Sequence, residues 1–275
     1  MRILGTIAVH SFRDILRSRI LYAVIAYAAV VMGVAVLAGE WTLGEQIRLV
    51  TDVGLGAMVA FGLLLVLTRG AETISREVER KTVRVMLARP IQRWQFVVGS
   101  FLGMVMALAL LIAALLAVLC VALIPIGGPS SWGSLFIASW GILLELLMIA
   151  AVALLASNLS SPVLATLLTL LVFCAGHMAS GLHEWIQGTA TDGASHLPDS
   201  MAKVAMAYQS GPLNVFLRVA YFALPIMTHV NFKAQAANAV AVPAMRVVVG
   251  SLYALVYTTL VTLVGVGVFR RRDIS

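Results

Sequence analysis

The feature that most constrains this chain is a succession of apolar runs, each long enough or nearly long enough to cross a hydrocarbon layer. A crossing helix needs about 20 apolar residues. Six stretches meet that need: 20–38, 53–68 with a start as early as Ile47, 96–124, 134–156, 163–181 and 247–269. Apolar side chains make up 61% of the 275 residues and charged ones 11%, against about 25% charged in a soluble domain. The fold class that follows is an all-α integral membrane protein with six transmembrane helices, forming one domain over 1–275. The net charge of +7 does not point to nucleic acid, because the basic residues are dispersed between apolar runs instead of forming one solvated patch. Cys120 and Cys174 lie inside apolar runs without metal or disulfide spacing and are expected as small core residues. The first apolar run follows four arginines, so no cleaved leader is expected.

Loop charge sets the expected orientation. With both termini cytoplasmic, the inner segments hold Arg2, Arg13, Arg17 and Arg19, then Arg69, Arg76, Arg80, Lys81, Arg84, Arg89 and Arg93, then Arg270, Arg271 and Arg272; this is 14 of the 19 basic residues. The stretch LNVFLRVAYFALPIMT, 213–228, is apolar but short and contains Arg218 and Pro225. A full crossing there would place FRRRDIS outside, so it is expected as an interfacial or re-entrant helix within a long outer segment, 182–246.

Residues 1–19 read as an amphipathic elbow helix in the cytoplasmic interface. At 3.6 residues per turn, Arg2, Thr6, His10, Arg13 and Arg17 share one side, and Leu4, Ala8, Phe12, Ile15 and Leu16 the other. The loop 69–95 reads similarly. Ile74, Val78, Thr82, Val85 and Met86 form an apolar stripe opposite Arg76, Glu77, Arg80 and Arg84, and the helix stops before Pro90. Three readings compete for it: a loop that only fixes topology, a helix lying on lipid, and a helix docking a protein. Both charge signs interleaved with an apolar stripe favour the protein, whose groove can pair both signs and bury the stripe.

The run EVERKTVRVMLARPIQRWQFVVGSFLG, the preceding elbow helix and two spans, LPIMTHVNFKAQAANAV before the last span, and the ending FRRRDIS together resemble the permease subunits of ABC-2 type ATP-binding-cassette transporters. The closest likeness is to the six-span permeases of multicopper-enzyme or nitrous-oxide-reductase maturation. That resemblance implies a homodimer in a bacterial inner membrane, with two copies of a cytoplasmic P-loop ATPase that carry ATP and Mg. It makes 69–95 the coupling loop, with Arg76, Glu77, Arg80, Lys81 and Arg84 docking the ATPase, and it leaves room for an outer or periplasmic partner on 182–246. Lys81-Thr82 stands where the family commonly has Gly-Thr; lysine for glycine favours a more continuous helix by about 1 kcal/mol. No GxxxxGK[ST] loop occurs in the chain, so nucleotide chemistry is expected on the separate subunit and no cofactor on this one.

Glu145 is the one acid at mid-span, which makes it a candidate pathway or coupling residue. It also supports an alternative, a stand-alone proton-coupled secondary transporter. Protonation, or a hydrogen bond from a neighbouring Ser, Thr or Trp140, would satisfy it structurally, since no other span carries a cation at its centre. Gly99 and Gly103 form a small-xxx-small pair suited to close helix packing, and Gly54 and Gly62 can do the same. His177, His183 and Glu184 offer metal-ligating atoms without any metal-site spacing, so a structural role is expected. No arrangement of catalytic residues with intelligible spacing is present, and none is expected.

Overall fold

The computed structural model describes residues 2–16, 45–70, 93–128, 131–191, 225–238 and 240–271, with scattered positions between 26 and 37. The described residues are helical or in short turns, with no strand among them. The helices are α1 (Arg2–Leu16), α2 (Gln46–Leu65), α3 (Arg93–Leu123), α4 (Trp132–Leu159), α5 (Pro162–Thr191), α6 (Lys233–Ala237) and α7 (Ala244–Arg271). Among the described residues, four helical stretches are long and apolar enough to cross a membrane: Gln46–Gly70, Val97–Ile126, Trp132–Leu159 and Ala244–Phe269. These match four of the six expected spans. Most of the first expected span, and the 213–228 stretch as far as residue 224, lie outside the described residues.

Local chemistry explains where the helices begin and end. The backbone past α3 tightens into a turn over Ile124–Ile126, and Gly127 (φ 103°) and Gly128 (φ 77°) take the left-handed conformation that glycine accepts without strain. The Gly128 N–H then donates to the Leu123 carbonyl at 2.8 Å. α4 opens on Ser131, whose hydroxyl accepts from the Ser134 N–H at 3.4 Å. Pro162 begins α5, where its missing N–H costs nothing. Inside the helices, hydroxyls turn back onto their own backbone: Thr51 donates to the Ile47 carbonyl (2.7 Å), Ser139 to Leu135 (3.0 Å) and Thr169 to Ala165 (2.7 Å). These three hydroxyls then need no water at bilayer depth, whereas those of Thr258 and Thr262 in α7 are buried without a hydrogen-bond partner among the described residues.

The described residues fall into two compact units, Met1–Thr169 with Val230–Ser275, and Leu170–His229. In the first, α4 is the central helix: 67% of its apolar window is buried, against 22% for α7. Contacts along its length fix the directions of its neighbours. Ser139 meets Met58 of α2, Gly62 faces Leu146 and Gly70 faces Ala153, so α2 runs parallel to α4. Trp140 donates to the Ser251 hydroxyl (3.1 Å) and Asn158 to the Gly265 carbonyl (3.3 Å), so α7 is parallel too. α3 runs the other way, with Leu119 against Gly54 and Met104 near Gly70. α4 and α7 therefore start on the same face of the bundle.

α1 lies across the start of α3. Ala8 and Ile15 are buried, Phe12 and Leu16 half-buried, and Thr6, His10 and Arg13 exposed, as the wheel predicts. The apolar side, however, is seated on protein. A Cβ built on Gly103 would lie 2.6 Å from the Ser11 Cβ and 2.9 Å from the Ala8 carbonyl oxygen, so only glycine lets the two backbones meet here. In the second unit, Gly176 of α5 is similarly close to the Pro225 carbonyl and the Met227 side chain.

Gly103→Val is expected to unseat α1, at a cost of about 1–3 kcal/mol for overpacking against backbone. Thermal unfolding in detergent should show a lowered midpoint and limited proteolysis earlier cleavage within 2–16; a wild-type midpoint and cleavage rate would contradict the contact.

Candidate functional site

Two places in the first unit combine polar chemistry with tight packing. The first is the end of the bundle from which 71–92 leaves and to which it returns. After Leu65 the backbone widens into a π turn, Val66–Gly70, a departure from α geometry that recurs at functional sites. The Leu67 carbonyl accepts from the Thr166 hydroxyl of α5 at 3.5 Å. Arg69, its side chain 19% exposed, reaches Asp14 of α1 at 3.9 Å. Val97, Leu154 and Phe269 pack together at this same level. The elbow helix, both ends of the 71–92 segment and the end of α7 therefore share one face of the bundle. Sequence counting placed Arg69 simply among loop cations; its half-buried position and ion pair follow from the π turn, which hydropathy does not register.

Arg76, Glu77, Arg80, Lys81 and Arg84 all lie outside the described residues. The segment's anchors are described: Arg69 and Gly70 before it, Trp94 and Val97 after it. Gly99 is buried in α3, and Gly103 is taken up by α1 as described above.

The second place is the centre of α4. Glu145 lies thirteen residues after Trp132 and fourteen before Leu159, about 20 Å from either end at 1.5 Å per residue. It is fully buried, and the Lys233 ammonium lies 3.6 Å from its Oε2. Lys233 is the first residue of α6, and Asn231 shapes the approach by accepting from the Lys233 N–H at 3.2 Å. The sequence points to protonation or to a hydrogen bond from a hydroxyl or Trp140. Trp140 instead donates to Ser251, and the cation comes from between the spans, where loop counting had assigned it to the outer side. The missed signal is a lone lysine in the otherwise apolar or neutral run VNFKAQAANAVAV.

His177 packs locally in the second unit: its Nδ1 is 3.4 Å from the Phe173 carbonyl, and its ring centroid lies 4.5 Å from that of Phe173 with the planes tilted by 44°. The side chains of His183 and Glu184 lie outside the described residues. Among the described residues no three His, Cys, Asp or Glu side chains converge as metal ligands. Both places are suited to mechanical work: one anchors the chain on either side of 71–92, and the other holds an opposite-charge pair at mid-span.

A family model described as ABC-2 family transporter protein matches residues 5–274. No curated protein matches the chain.

Leaving one member of a buried pair uncompensated costs about 3–5 kcal/mol. Lys233→Met is expected near the lower end, because the lysine side chain retains 23% exposure. Glu145→Gln with Lys233→Met should recover part of that loss. A double-mutant cycle by denaturation in detergent checks this, and additive losses would remove the coupling.

Proposed function

The chain belongs to the ABC-2 transporter family, and from that premise we propose that it is the six-span permease subunit of an ATP-driven transporter of the maturation-permease type. Permeases of this family generally work with a cytoplasmic ATPase. In the proposal two copies of this chain and two ATPases form the working assembly in a bacterial inner membrane, with both termini cytoplasmic. ATP closure drives substrate export or a conformational signal to an outer partner seated on 182–246. ATP and Mg belong to the ATPase.

The observation that carries the reading is the convergence at one face of α1, the two anchors of the 71–92 segment and the end of α7. A partner pressing on that segment would bear on α2 through Arg69 and Gly70 and on α3 through Trp94 and Val97. Asp14 and Gly103 would carry α1 along. An ATPase can shift the spans only through a contact that differs between its open and closed states, and Arg76, Glu77, Arg80, Lys81 and Arg84 on that segment supply charges of both signs for it. Family membership favours this reading over the proton-coupled secondary transporter, and the Lys233 partner gives Glu145 a role that requires no proton transfer.

Reversing Arg80 and Arg84 together to Glu is expected to reduce recovery of a P-loop ATPase with the tagged permease by about tenfold or more, since like-charge juxtaposition costs several kcal/mol at an interface. Recovery of a stoichiometric ATPase from the double variant would refute docking through these residues.

A further inference from the structure

α4 carries a glycine and its one carboxylate on the same stripe: Gly141 and Glu145 are four residues apart, hence a turn apart on one face. Against that stripe lies chain that belongs to no span. The Val230 carbonyl and the Phe232 ring occupy the space that a side chain at 141 would need. Val230 and Phe232 are fully buried, and Lys233 reaches Glu145. α6 continues against α2 and α4, and Val230 joins Leu144, Met148 and Ala254 in one apolar cluster. The chain then passes through the exposed Val240 and Ala241 to begin α7. Residues 230–237 thus form a strap held at the level of the mid-span carboxylate, with its exit on the face where α4 and α7 start, opposite the face that carries the 71–92 segment.

The two contacts that hold the strap differ in kind. At Gly141 the fit is steric. At Glu145 it is an ion pair with a flexible lysine, whose compact, strongly hydrated charge can exchange a carboxylate for water; an arginine fork would clamp the same carboxylate in two places. A strap meant to stay put needs only apolar packing, which the 230–232 portion already has. The ion pair adds a hold whose strength depends on the water and charge around it.

We propose that the Glu145–Lys233 pair is the latch of a movable strap, residues 230–237, which closes the bundle on the face opposite the 71–92 segment and is released during the transport cycle. Release in the cycle rests on the permease reading above; the latch itself does not.

Hydrogen exchange on the purified full chain reads the strap directly, because the amides of Ala236, Asn238 and Val240 donate to the carbonyls of Phe232, Ala234 and Gln235. Lys233→Met and Glu145→Gln are each expected to speed exchange over 230–240 by about tenfold or more while α7 keeps its wild-type rates. The exchanged pair, Glu145→Lys with Lys233→Glu, should restore slow exchange. Strap exchange within about twofold of wild type in both single variants overturns the latch; so does acceleration spread equally through α4 and α7. In the complex with its ATPase, trapping with ATP and vanadate should speed the same amides, and unchanged rates there overturn release during the cycle. Failure to recover any ATPase counts against the docking reading, while the measurement on the permease alone still decides the latch.

Discussion

In a hydrocarbon layer an apolar side chain gains nothing by choosing a neighbouring helix over a lipid tail, so helices associate only where they approach closely enough for dense van der Waals contact or share a polar bond. The bundle around α4 depends on that constraint. Gly62 admits Leu146, Gly54 admits Leu119, and Gly141 admits the backbone at Val230. Between these sites, Trp140 with Ser251 and Asn158 with the Gly265 carbonyl tie α4 to α7 at two levels. α7 leaves most of its surface outside, and these bonds add to its packing on α4 through Ala254 and Phe269.

The same constraint explains what the sequence makes legible. Run length and apolar content locate α2, α3, α4 and α7, because lipid exposure acts on every residue of a span. The start of α2 lies at Gln46, before the apolar core near Val53, because helical hydrogen bonding extends through Arg48, Thr51 and Asp52 into the polar zone, where hydropathy falls silent. The wheel over 2–16 identifies the buried side of α1 from the pattern alone. It cannot name what covers that side, since an apolar face suits lipid and protein alike; Gly103, a hundred residues on in the sequence, makes it protein. The Glu145–Lys233 pair is legible only in its first half. A mid-span carboxylate demands a partner, but a lysine outside every span resembles any other loop cation until the fold carries it inward. The proposed docking residues on 71–92 remain readings of charge pattern and family likeness, which the anchors at either end frame.

The two faces of the bundle are built in contrasting ways. On the face bearing α1, a small set of short-range contacts joins the N-terminal helix to the end of α2 and the start of α3. On the opposite face, a strap enters the bundle and its charged residue meets the centre of α4. Because α4 touches elements of both sets, through Ala153 and Leu154 at one level and Gly141 and Glu145 at another, a small displacement of this one helix would be felt at both ends.

The π turn at Val66–Gly70 has a geometric consequence of its own. An i→i+5 turn takes up about one residue more than the α turn it replaces, and one residue of α-helix corresponds to about 100° of rotation. The turn therefore sets the compass bearing at which the chain leaves α2. Losing a single residue from Val66–Gly70 would leave the span its length and nearly all its contacts, yet would swing the end of the turn about a quarter of a circle away from Asp14 of α1.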